Sequence, residues 1–194
     1  MIPCRVNPMG SPYLRKLSYL ESTGTQYIDT GVAPDFAGGD RIEIRFYAAS
    51  YSGTAPCIFG SRESGVLNCV YCLGNTAVVA DADGYSSVPI LINIGGDDLL
   101  RVNDSAIASE GMVKDMPRRV TVGLPIFLFA LNNYGTGTYG IYSGMRLYDW
   151  KYYRNSTLAQ HLVPVLDRAN TPCLFDMVSR KFVYNAGTGT FIYA

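Results

Sequence analysis

Hydrophobic and polar residues alternate one for one across Arg41–Tyr47, which sets Ile42, Ile44 and Phe46 on one face and Glu43, Arg45 and Tyr47 on the other. That period of two is the pattern of a half-buried β-strand. The same reading predicts further strands at 26–29, 57–60, 67–73, 77–80, 90–94, 99–102, 119–122, 140–150, 162–165, 173–176, 181–184 and 191–193, with the fully apolar run 126–131 as one continuous buried strand. Gly, Asn, Asp and Pro punctuate nearly all of them, the spacing of an all-β sandwich or barrel. One segment pulls toward a helix, because Leu158, Ala159, Leu162 and Val163 follow the potential cap Ser156 at helical spacing. Pro164 ends any helix there, and the segment is read as a strand.

Residues 1–16 carry Pro3, Pro8, Gly10 and Pro12 with little periodicity and read as an extended arm leading into a single domain over 17–194. The prolines remove backbone donors, while Ile2, Val6, Met9, Tyr13 and Leu14 keep the arm able to bury apolar surface. It is therefore expected to lie against a partner subunit. Gly135-Thr136-Gly137-Thr138 and Gly187-Thr188-Gly189-Thr190 read as turns.

Composition supports the strand reading. The chain has 194 residues, ordinary for one sandwich domain, of which 48% are hydrophobic, enough for a core. Only 16% are charged, against about 25% in an average globular protein, while 15 tyrosines and 20 glycines favour strands and turns. The 16 basic and 16 acidic side chains cancel. No broad field draws the chain to nucleic acid or an anionic membrane, and the Arg118–Arg119 pair reads as a solvated turn. No stretch reaches the ~18 apolar residues of a membrane span. Residues 1–5 lack a signal-peptide layout, and Cys4, Cys57, Cys69, Cys72 and Cys173 are odd in number and scattered, so assembly in a reducing cytoplasm is expected.

Few residues carry obvious chemistry. His161 is the only histidine, so a Ser-His-Asp triad would have to use it; with no Gly-x-Ser-x-Gly elbow in the chain, it reads as structural. Cys69-Val70-Tyr71-Cys72 lacks a second metal-binding pair, and on an extended strand residues three apart point to opposite faces, so a metal or redox role would need a break there. Asn132, Asn133, Tyr134, Tyr139, Tyr142, Trp150, Tyr152 and Tyr153 combine aromatic faces with polar edges. They are the candidate surface for a glycan or protein contact, with packing between sheets as the alternative.

The stretch Tyr19-Leu20-Glu21-Ser22-Thr23-Gly24-Thr25-Gln26-Tyr27-Ile28-Asp29-Thr30-Gly31 resembles the opening of laminin-G-like, concanavalin-A-like domains found in gut phage and gut bacterial proteins. Leu162 through Pro164, Cys173-Leu174-Phe175-Asp176, Lys181-Phe182 and Asn185-Ala186-Gly187-Thr188-Gly189-Thr190-Phe191 resemble the closing strands of the same group. Phe127 to Asn133 and Gly144 to Asp149 fit its central strands. The resemblance implies an antiparallel β-sandwich of the jelly-roll type. It implies a structural or adhesion protein of a bacteriophage virion, as a capsid decoration, head fibre or tail component, with other virion proteins and further copies of itself as partners. Cell-surface or mucin glycans are candidate ligands, and the expected place is the virion surface after assembly in the bacterial cytoplasm. The alternatives are a glycan-binding lectin-like module at a gut bacterium's surface and a glycoside hydrolase.

Jelly-roll glycanases need two carboxylates about 5–9.5 Å apart, usually from one strand. Here Glu43 is flanked on its own face by Arg41 and Arg45, which are expected to pair with it and lower its pKa, the wrong setting for a general acid. Acids on different strands, such as Asp149 and Glu63, remain the other route. Laminin-G-like relatives often bind Ca²⁺ in rim loops, and Asp81-Ala82-Asp83-Gly84 and Gly95-Gly96-Asp97-Asp98 are the matching acidic turns, though neither is a complete calcium loop. No cofactor is otherwise implied.

Overall fold

The computed structural model describes residues 11–50, 56–63, 66–73, 76–80, 87–91, 95–102, 106–109, 112–115 and 122–194, and among them there is no helix. The first strands are β1 (Arg15–Lys16), β2 (Leu20–Thr23), β3 (Ile28–Asp29), β4 (Arg41–Tyr47), β5 (Cys57–Glu63), β6 (Val66–Leu73) and β7 (Thr76–Ala80). Then come β8 (Ser87–Leu91), β9 (Asp97–Val102), β10 (Ala106–Ser109), β11 (Met112–Asp115), β12 (Phe127–Leu128), β13 (Leu131–Asn133) and β14 (Gly137–Tyr139). The chain closes with β15 (Ser143–Arg154), β16 (Thr157–Leu166), β17 (Pro172–Asp176), β18 (Phe182–Val183) and β19 (Ile192–Tyr193).

These strands form two sheets packed face to face, an all-β sandwich. Sheet A runs β11-β10-β9-β4-β15-β16-β17-β18, with β2 on β15, β19 on β2, and β1 on β16. Sheet B runs β14-β13-β5-β6-β7-β8, with β12 and β3 beside β5. Among the described strands all pairings are antiparallel except β13 with β5, beside which the isolated bridge Cys57–Ile141 is also parallel. The inner faces meet in one core that holds Ile42, Ile44 and Phe46 from β4, the face expected from the alternation, together with Phe59 and Val70 from sheet B. Trp150 lies at its centre, edge-on to Phe59 at 5.4 Å. Its indole N–H donates to Gln160 Oε1 at 3.1 Å, and Gln160 Nε2 donates to the Thr30 carbonyl at 2.9 Å, so no polar atom of the indole is left buried unpaired.

Two expectations about elements need correction. The apolar run 126–131 is not one strand: Phe129 adopts φ 68° and breaks it into β12 and β13. A left-handed phenylalanine costs about 1 kcal/mol or more. The ring is fully buried, against Phe191 at 5.1 Å, and the Phe129 N–H and C=O bond to Ile58 O and Tyr142 N, which offsets that cost. The segment with helical spacing is a strand, β16, paired on β15 and β17. The expected strand at 119–122 lies almost wholly outside the described residues.

Part of the arm has a place on the sandwich itself. Residues 1–10 are outside the described residues, and Ser11 to Lys16 lie against the chain's own sheet A. Arg15 and Lys16 pair with Leu166 and Val165, Leu14 N bonds to Leu166 O at 2.9 Å, and Arg168 donates to Ser11 O at 2.9 Å. The reason is an apolar patch on the outer face of sheet A, made of Val163, Val165, Cys173 and Phe175, which Tyr13 and Phe182 cover. The Tyr13 ring meets Phe175 edge-on at 5.3 Å. Burial raises the Cys173 thiol to about 12, so it is held as an inert thiol.

The opening and closing motifs of the chain form a single clasp. Gln26 Nε2 and Thr25 Oγ1 both donate to the Thr188 carbonyl, at 3.1 and 3.0 Å, and the Tyr27 N–H donates to Asn185 Oδ1 at 3.2 Å. Gly187 passes so close that a Cβ on it would lie 2.1 Å from the Thr25 carbonyl oxygen.

Gly187→Ala is expected to cost at least 2 kcal/mol, about the size of other backbone clashes, whereas Gly137→Ala, with nothing within 4 Å of its Cβ, should stay within about 0.5 kcal/mol. Urea denaturation of the two variants checks the contrast. Tyr13→Ala should lose about 1–2 kcal/mol by uncovering the outer patch, measured in the same way. An unchanged midpoint would show that the arm is dispensable to the fold.

Candidate functional site

The eight expected contact residues do not form one surface. Tyr142, Trp150 and Tyr152 are buried in the core and Asn132 is 2% exposed. Each has a structural task instead. The Tyr142 hydroxyl donates to Ala49 O at 2.7 Å, the Tyr152 hydroxyl donates to the buried Asp40, and Asn132 bridges Pro125 O and Gly135 N at the β13–β14 turn. Tyrosine and tryptophan at alternate positions of a central strand are drawn inward by their apolar area once their polar atoms find partners.

Of the remaining four, Asn133, Tyr134 and Tyr139 share the β13–β14 hairpin. Tyr134 and Tyr139 are 48% and 50% exposed. Arg62 donates to Asn133 Oδ1 and lies over the Tyr134 ring at 4.8 Å. Tyr153 is elsewhere, on the outer face of sheet A, under the Arg41 guanidinium at 4.0 Å.

That outer face holds a denser constellation, which sequence reasoning missed. Along β15 the inward residues are Met145 and Leu147, then Trp150 and Tyr152, a change from odd to even positions. The change is a β-bulge: Leu147 pairs with Phe46 and Asp149 with Arg45, leaving Tyr148 as the extra residue. Tyr148 and Asp149 are consequently both half-buried and both at the outer surface, an arrangement that a regular strand cannot produce. The parity shift in the apolar pattern was the available signal.

Around the bulge the side chains are locked together. Arg146 Nε donates to Glu21 Oε2 at 2.6 Å, its cross-strand neighbour on β2, and the guanidinium sits between the rings of Tyr19 at 4.6 Å and Tyr47 at 5.0 Å. The bond to Glu21 raises the Arg146 pKa further, so its charge is fixed. Tyr148 donates to Asp97 Oδ1 at 2.6 Å and meets Tyr19 edge-on at 6.2 Å. Asp149 takes Lys151 at 3.2 Å and His161 Nε2 at 2.6 Å.

The acids weighed for hydrolysis have these places among the described residues. Glu43 is held by Arg41 at 3.6 Å and by Arg101 at 3.8 Å, the latter from β9, whereas the expected partner Arg45 faces Asp149 across the β4–β15 ladder. Asp149 lies in sheet A beside Lys151, while Glu63 lies in sheet B and accepts from Gly123 N at 3.2 Å. Asp97 and Asp98 are adjacent on β9 and point to opposite faces, Asp97 outward to Tyr148 and Asp98 into the protein, so they cannot share a cation. The acidic turn at 81–84 lies outside the described residues. β6 runs unbroken through Cys69 and Cys72, without the turn that a chelating pair would need.

Burial, then the bond to Asp97, raises the Tyr148 hydroxyl from 10.0 to about 12, and burial with the bond to Asp40 does the same for Tyr152. A raised folded pKa contributes stability that is whole below the ordinary value and is lost as pH rises through the folded one. Melting temperature should therefore drop between about pH 10 and about pH 12, with ultraviolet difference absorbance showing late-ionising tyrosines. Tyr148→Phe should remove part of that alkaline loss; an unchanged profile would mean that the Asp97 bond does not persist in solution. No family model matches the chain, and no curated protein matches it.

Proposed function

We propose that the protein is a non-catalytic adhesion and structural module of a bacteriophage virion, of the concanavalin-A-like type, and that the outer face of sheet A is its contact surface. One observation carries the binding side of this reading. The described acids on that face are tied to cations, a hydroxyl or an imidazole, Glu21 to Arg146, Glu43 to Arg41 and Arg101, Asp149 to Lys151 and His161, and Asp97 to Tyr148. Paired charges beside tyrosine rings make a rigid recognition surface. The virion setting rests on the resemblance of the opening and closing motifs. The face suits both protein partners and glycans.

Incubated with β-glucans and host-type glycans, the protein is expected to release no reducing ends. Release that vanishes when one acidic side chain is neutralised would overturn the non-catalytic reading. The protein should also sediment as a homo-oligomer or with phage particles; a strict monomer at high concentration that associates with no particle would overturn the virion reading.

A further inference from the structure

The bulge on β15 has properties that select among ligands. Its neighbourhood is electrically balanced: Arg45, Arg146 and Lys151 stand against Glu21, Asp97 and Asp149, and the formal charges of these six cancel. Neither a polyanion nor a cation is favoured by such a field. The rings of Tyr19, Tyr47 and Tyr148 are half-buried and offer apolar surface beside polar edges. Among the described residues Leu99, half-buried on β9 opposite Arg45, is the aliphatic member of this part of the face, whereas the core of a protein–protein interface is about 65% apolar. The polar groups are also held in place before any ligand arrives, so little side-chain freedom is lost on binding. Asp97 and Asp149 have used some of their acceptor capacity on Tyr148, Lys151 and His161, yet each carboxylate provides about four acceptor sites.

Resting on the adhesion reading above, we propose that the bulge at Tyr148–Asp149 is the contact point for a neutral hexose unit of a glycan chain. The sugar's hydroxyls bond to the fixed carboxylates of Asp97 and Asp149, and its C–H face packs on the tyrosine rings around Arg146. A bulge that brings two consecutive side chains to one face is a known means of re-aiming residues at a binding site.

The test is isothermal titration of the intact protein with maltohexaose, cellohexaose, a chitin oligomer and a mannan oligomer, with sialyllactose and heparin oligosaccharide as charged arms. At least one neutral oligosaccharide should bind. Tyr148→Ala and Asp149→Asn should each weaken it about tenfold or more, whereas Tyr134→Ala, an exposed tyrosine on the β13–β14 hairpin, should change it less than twofold. Should Tyr148→Ala fail to fold, Tyr148→Phe keeps the ring and removes the Asp97 bond, and it should weaken binding severalfold with the fold intact. Three outcomes overturn the site: no neutral oligosaccharide binds, a charged one binds more tightly, or Tyr134→Ala matches the bulge variants. Cleavage of a bound oligosaccharide would overturn the non-catalytic reading and leave the site standing. Particle association without sugar binding would do the reverse.

Discussion

The inward turn of Trp150 is the constraint from which the rest of sheet A follows. Its ring fills the centre of the sandwich against Phe59, and its N–H begins a buried chain through Gln160 to Thr30. Leu147 must also face inward to pack with the same core. A regular strand cannot put positions 147 and 150 on one side, since alternate residues face opposite ways. The chain resolves the conflict by adding Tyr148 as a bulge, and the side chains expelled outward, Tyr148 and Asp149, become the organisers of the surface. Core packing thus creates the polar constellation on the opposite face.

How much of this was legible in the sequence depended on how local each feature was. The alternation across β4 placed Ile42, Ile44 and Phe46 inward, because strand period and burial speak through neighbouring residues alone. The break at Phe129 was not legible, since a phenylalanine with positive φ is held by contacts to Ile58, Tyr142 and Phe191 that are distant in sequence. Glu43 shows the same limit. That it would be ion-paired could be read from Arg41, but Arg101 takes the place expected of Arg45, and only the β4–β9 register brings it there. Aromatic residues were the least legible of all. A tyrosine looks alike in a list whether its hydroxyl reaches a buried Asp40 or lies open in a hairpin, and Tyr152 and Tyr139 divide on that point.

The outer face of sheet A is divided by chemistry. Over β9, β4 and β15 it bears tyrosines and paired charges; over β16 and β17 it turns apolar, and the Ser11–Lys16 segment lies across it. The covered half needs no ligand to be satisfied. Among the described residues no segment lies across the other half, which is polar and held by its ion pairs, and this division directs attention to the bulge and away from the sheet as a whole.

The clasp between residues 25–27 and 185–189 has a consequence for the order in which the protein can be made. Strand β2 lies between β15 and β19, so a segment synthesised early has both its partners encoded more than a hundred residues later. Until they leave the ribosome, both edges of β2 stand open to any other strand. Pairings of such long sequence separation form slowly. Nascent chains crowded on one message therefore have time to pair with each other before the sandwich closes.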